Sequence, residues 1–169
     1  MKVTQGEFRF RTWGGARKGA GRPRGERPVV PRVRRKPLSS RFPVHVTVRL
    51  RDGLPSLRNL QVDKVLRAAF AKGCDRFGFR LVHYSVQGNH IHLIVEAKDR
   101  RALSRGMQGL LIRIARGLNK LWQRKGSVFA DRYHDRILRT PREVRHALAY
   151  VLHNARRHKI RLRQAFDRF

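Results

Sequence analysis

The run Gln87-Gly88-Asn89-His90-Ile91-His92-Leu93-Ile94-Val95-Glu96 limits the fold more than any other stretch. Its pattern is that of a strand, and strand side chains alternate faces. His90 and His92 therefore point one way, and Ile91, Leu93 and Val95 the other. A sheet built on this strand has an apolar face and a face that carries imidazoles. Same-face neighbours stand roughly 6.6 Å apart at Cα, within reach of one shared divalent ion. The pair also reads as the plain polar face of a half-exposed strand. Gly88-Asn89 is a turn signal, which makes the run the second arm of a hairpin with residues 81–86.

The flanking periodicities extend this seed. Phe42, Val44, Val46, Val48 and Leu50 alternate with His45, Thr47 and Arg49, a half-buried strand broken at Asp52-Gly53. Leu57, Leu60, Val62, Leu66, Ala69 and Phe70 recur at helical spacing as far as Lys72-Gly73. Strands are expected over 79–86 and 90–97. A long helix follows, with Leu103, Met107, Leu110, Ile114, Leu118, Leu121 and Trp122 as its core stripe and Gly126 as its stop. Arg105, Arg113, Arg116, Lys120 and Arg124 form its basic outer face. Val128-Phe129 and residues 136–139 read as one interrupted strand. Thr140-Pro141-Arg142-Glu143 is a capping box that opens a last helix with stripe Val144, Leu148, Val151 and Ala155.

Strand, helix, strand, strand, helix, strand is the ferredoxin-like split βαβ pattern, an α+β fold with an antiparallel sheet and two helices on one face. The seventh element is then free to cover the other face. There it brings Tyr150 and Asn154, neighbours on one side of that helix, toward His90 and His92. Arg157 projects on the same side.

Charge narrows the partner. The chain carries 41 Lys+Arg against 11 Asp+Glu, a formal net charge of +30. An excess this large calls for a polyanion, and nucleic acid comes first. A membrane surface is poorly supported, since no long apolar run or lipidation signal is present. Residues 1–40 are set apart as a basic Gly/Pro/Arg-rich tail, expected to be flexible, ahead of a domain over 41–169. Its cations Arg17, Lys18, Arg22, Arg24, Arg34, Arg35 and Lys36 are candidate DNA contacts, as are Arg105, Arg113, Arg116 and Lys120 of the long helix and Arg157 of the last one. Within it Gly21-Arg22-Pro23-Arg24-Gly25 resembles an AT-hook, whose arginines lie in a narrow minor groove; the match is short, and a solvated basic tail that adds only sequence-independent phosphate attraction is the reading preferred over it. The single cysteine, Cys74, excludes an internal disulfide framework and suits a reducing cytosol, with a buried inert thiol expected. No secretory leader is read.

Two imidazoles and an amide oxygen suit Mg²⁺ or Mn²⁺ with water in the open positions. A closed zinc site wants cysteines that the chain lacks. An ion held openly on a basic protein can grip a phosphate oxygen, and a tyrosine can then attack phosphorus and become covalently phosphorylated. Tyr150 is the candidate nucleophile, His90, His92 and Asn154 the candidate ligands, and Arg157 a candidate for charge neutralisation. Tyr133 and Tyr84 are rival nucleophiles. His45 and His83, on neighbouring strands, are either donors to the histidine pair or plain sheet residues. No Gly-x-Ser-x-Gly and no phosphate-binding Gly-Lys-Thr loop is present.

Asn89-His90-Ile91-His92-Leu93-Ile94-Val95-Glu96, with Tyr150 and then Asn154 downstream, resembles the single-tyrosine HUH transposases of small bacterial insertion sequences. The branch it looks most like is the REP-associated tyrosine transposases. The resemblance covers about 41–159. It implies a ferredoxin-like fold of HUH endonuclease type and single-stranded hairpin or palindromic DNA as substrate. It also implies metal-dependent nicking through a 5′-phosphotyrosine, with strand transfer by the 3′-hydroxyl. By that resemblance His90 and His92 match the metal histidines, Tyr150 the nucleophile and Asn154 the third ligand. Relatives often carry proline after this asparagine. Here Ala155 follows, so the helix is expected to run on to about His158.

The expected function is therefore nicking and joining of folded single strands by a cytoplasmic, nucleoid-associated bacterial enzyme with no membrane partner. The alternative is a non-catalytic basic DNA- or RNA-binding protein. Monomer and homodimer both fit, so Tyr150 can serve its own site or a partner's.

Overall fold

The computed structural model describes residues 35–157, with side chains to residue 153. Elements run β1 (Val44–Arg49), α1 (Leu60–Gly73), β2 (Asp75–Arg76), β3 (Phe79–Val86), β4 (His90–Ala97), α2 (Arg100–Leu121), β5 (His134–Ile137) and α3 (Pro141–Arg157). The strands make one five-stranded sheet in the order β2-β3-β4-β1-β5, with every pairing antiparallel. Setting aside the two-residue β2, which sequence periodicity is too short to signal, this is the split βαβ order expected above.

Alternation sorts the two faces. Val44, Val46 and Val48 of β1 and Ile91, Leu93 and Val95 of β4 are buried in the main core. Leu66 and Phe70 of α1 and Leu103, Met107, Leu110, Ile114 and Leu118 of α2 cover them. The other face holds a smaller cluster, Ile94 with Leu138 and with Ala147 and Val151 of α3. At about 2 kcal/mol for each fully buried aliphatic side chain, this small cluster secures α3 far less strongly than the main core secures α1 and α2. Its start is fixed by the capping box: Glu143 N–H donates to Thr140 Oγ1 at 3.2 Å, and Thr140 N–H donates to Glu143 Oε2 at 3.1 Å. The helix continues through Asn154 and Ala155 to Arg157, as the missing proline implies.

Boundaries differ from the sequence reading in a few places. α1 starts at Leu60 because Asn59 caps it, accepting from Gln61 N–H at 2.8 Å, and Leu57 is buried from the loop before it. α2 ends at Leu121, short of Gly126. The interrupted strand is present but shifted: Phe129 bridges Leu50, and the second segment, β5, spans 134–137 rather than 136–139 and pairs with β1. Cys74 caps α1 and is only half-buried.

Packing onto the domain begins before the boundary drawn at residue 41. Leu38 is buried, and Arg35 pairs with Asp135 at 3.0 Å while stacking over the Tyr133 ring at 3.8 Å. Asp135 also takes Arg100 at 2.6 Å. One largely buried carboxylate thus holds two guanidiniums, and its partner Arg100 also donates to the Lys36 carbonyl at 2.9 Å.

Candidate active site

The face beneath α3 carries the histidines. His92 is 5 % exposed. It stands in register with Thr47 on one side and Ser85 on the other, because β4 is hydrogen-bonded to both β1 and β3. The His90 and His92 rings lie 4.7 Å apart between centroids, with planes 87° apart.

Each ring has its Nδ1 engaged. His90 Nδ1 donates to Asn89 Oδ1 at 2.8 Å. His92 Nδ1 stands 3.2 Å from Thr47 Oγ1 and 3.3 Å from His45 Nε2. The Nε2 atom of His92 faces α3 instead, where the Tyr150 hydroxyl donates to it at 3.4 Å. A proton on Nδ1 and a lone pair on Nε2 satisfy all these contacts with a neutral imidazole. The Tyr150 ring meets His92 edge-on at 5.0 Å and His45 at 6.1 Å.

Electrostatics favour the same state. Burial, then the nearby His90 and His45, push the His92 pKa down to about 4. Burial and the Arg136 charge lower that of His45. The unfolded chain takes up a proton at His92 below pH 6.5, whereas the folded chain refuses it until about pH 4. Stability is thus lost as pH falls through that window, by up to roughly 3 kcal/mol in the metal-free protein. An NMR titration of the His92 ring is expected to give a midpoint near 4; an ordinary midpoint would mean the ring is solvated.

These residues fit a divalent ion. Neutral imidazoles are the ligand form, and an Nδ1–H tied to a second group leaves Nε2 to donate. Among the described residues no set of three or more His, Cys, Asp and Glu converges on a metal position. The histidine pair therefore needs oxygen donors of another kind, such as an amide, a phenol or water. Asn154 lies one helical turn after Tyr150 on α3, and its side chain lies outside the described residues.

The other two tyrosines pack on the opposite face of the sheet. Tyr84 packs against Phe70 at 4.4 Å and joins the main core. Tyr133 also packs against that core, with its hydroxyl buried. His83 shares the site face, paired across from Ile94.

A groove of about 620 Å³ runs beside Tyr150, lined among others by His45, Arg136, Glu143, His146 and His153. Arg136 was not singled out in the sequence. Its signal was available: β5 alternation places it opposite His45, on the site face. It pairs with Glu143 at 2.9 Å.

The predicted DNA contacts scatter. Arg105, Arg113, Arg116 and Lys120 ride on α2, across the sheet from Tyr150. Arg35 is engaged by Asp135, and Lys36 is exposed. Arg17, Lys18, Arg22, Arg24 and Arg34, and the side chain of Arg157, lie outside the described residues.

The sequence profile of a family described as "Transposase IS200 like" matches residues 40–154. No curated protein matches the sequence. Among solved structures, the chain is similar to a REP-associated tyrosine transposase bound to a REP hairpin, with TM-score 0.60 and 20% identity, covering 76% of this chain and 74% of that one. Another is a protein of Deinococcus radiodurans R1, with TM-score 0.46 and 16% identity, covering 70% of this chain and 91% of that one.

Proposed function

Because the chain belongs to the IS200-like transposase family, we propose that it nicks and rejoins single-stranded DNA, folded as a hairpin or palindrome, through a 5′-phosphotyrosine on Tyr150. The observation that carries this reading is the 3.4 Å approach of the Tyr150 hydroxyl to His92 Nε2 within one chain. A monomer then suffices, and Tyr150 serves its own site.

In this reading the Tyr150 oxygen bonds to phosphorus as the phosphorus–O3′ bond breaks. The phenol loses its proton, and the departing 3′-oxygen gains one to leave as a hydroxyl. A 3′-hydroxyl attacking the phosphotyrosine reverses every change, so joining needs no nucleotide cofactor. His90, His92 and the Asn154 amide would hold Mg²⁺ or Mn²⁺, which supplies charge neutralisation at the phosphate and polarises phosphorus. His92 and His90 orient through their Nδ1 partners, Thr47, His45 and Asn89. Arg136, His146 and His153 line the groove by which a phosphate backbone would reach Tyr150.

The hairpin substrate draws support from the similar structure solved with a REP hairpin. No helix among the described residues is long and apolar enough to cross a membrane, and we read the protein as a cytoplasmic, nucleoid-associated enzyme. The basic segment before residue 35 is read as an arm that adds phosphate attraction.

A labelled hairpin oligonucleotide tests this. With Mg²⁺ or Mn²⁺ a covalent protein–DNA band is expected on a denaturing gel, together with a free 3′-hydroxyl fragment. Chelator is expected to remove both. Cleavage that survives chelator would overturn the metal role. Salt-sensitive binding with no adduct under any metal would favour the non-catalytic alternative.

A further inference from the structure

The turn joining β2 to β3 contradicts its own sequence. Phe77 and Gly78 both hold positive φ, 53° and 73°. A two-residue hairpin of this kind asks for Asn, Asp or Gly first. Here the first position is a phenylalanine, in a conformation that bulky residues rarely adopt. Its ring is also 87% exposed. Backbone strain and an exposed aromatic ring together cost stability, and nothing in the fold is gained by either.

The ring is one wall of a cleft of about 370 Å³, whose other wall is the outer side of α2: Arg105, Gln108, Gly109 and Ile112. Ile112 is itself 43% exposed. Gly109 lies within the helix, where glycine is among the least favourable residues. A Cβ there would meet only the flexible end of Arg113, at 3.2 Å. Close packing therefore does not require glycine at this position, and its effect is to keep the wall of the cleft open. Arg76 shares the face of Phe79 toward this side, while Asp75 turns to the opposite face beside Arg80. None of the five lining residues is acidic.

We propose that this cleft takes an unpaired nucleobase, stacked on Phe77, with Gln108 and Arg105 available to its polar edge and Arg76 and Arg113 to the flanking phosphates. It is a second DNA-binding site, on the sheet face opposite Tyr150. Every base has a stacking face, and a ring set among arginines suits a base with its attached phosphate. The proposal takes from the preceding reading only that the partner is DNA.

The test uses the full chain in chelator, so that binding is read without cleavage. The probes are a fluorescent oligothymidylate of about twelve nucleotides and an abasic strand of the same length. Phe77→Gly is expected to weaken oligothymidylate binding by about tenfold and to leave the abasic strand unchanged, while Phe77→Tyr retains both. Phe77→Gly is also expected to raise Tm, since glycine accepts the positive φ, which separates the binding loss from misfolding. Equal weakening on both probes, or no change on either, would overturn the proposal. So would a wild-type dimer, seen by sedimentation, that Phe77→Gly converts to monomer with no base-dependent loss. A missing tyrosine adduct would sink the cleavage reading and leave this binding difference intact. The two proposals therefore fail separately.

Discussion

Tyr150→Phe is expected to abolish the covalent protein–DNA adduct and to lower strand cleavage by about a thousandfold or more. The change removes one oxygen and keeps the ring. The edge-on contact with His92 at 5.0 Å and the packing of α3 through Val151 survive it. Only the hydroxyl that donates to His92 Nε2 is lost. Hairpin binding is expected to stay within twofold of wild type, so the loss lies in chemistry rather than recognition. Tyr84 and Tyr133 cannot substitute, because both pack on the far side of the sheet. An adduct that persists in Tyr150→Phe, mapped by digestion to another residue, would remove Tyr150 from the role.

Gly106→Ala is expected to cost about 3 kcal/mol, against the usual gain of about 1 kcal/mol for replacing glycine inside a helix. A Cβ at this position would stand 2.1 Å from Phe79 Cγ and 2.5 Å from Phe79 Cβ. Phe79 is fully buried where β3 meets α2, so it has nowhere to go. The helix must lift from the sheet or the ring must leave its rotamer. For a domain of this size the expected fall in Tm is on the order of 10 °C, read by thermal or urea melts. Gly109→Ala on the same helix is the control: it meets only the Arg113 side chain and is expected to be neutral or mildly stabilising. Should both substitutions behave alike, the close approach of α2 to β3 is not what limits the fold.

Much of the architecture is legible locally. Period-two alternation separates His90 and His92 from Ile91, Leu93 and Val95 with no knowledge of what packs on either side. The Thr140–Glu143 box marks the start of α3 because its hydrogen bonds are made within four residues. Phe77 was not legible in that way. Its sequence neighbours predict neither the positive φ nor the exposed ring, both of which follow from how β2 turns back onto β3.

The residues of the candidate site were named by chain chemistry alone: an imidazole pair on one strand face, and a phenol beside an amide on a capped helix. Which of three tyrosines meets the histidines was decided by tertiary structure, since Tyr150 and His92 are 58 positions apart. The Ile94–Val151 cluster lays α3 over the imidazole face, whereas Tyr84 and Tyr133 are drawn to the larger core behind it. The β1–β4 register likewise brings in His45 and Thr47, and β5 brings in Arg136. Local pattern settles the side of an element on which a residue stands. Which elements become neighbours depends on apolar burial and strand pairing between distant segments, and those contacts exist only once the chain has folded.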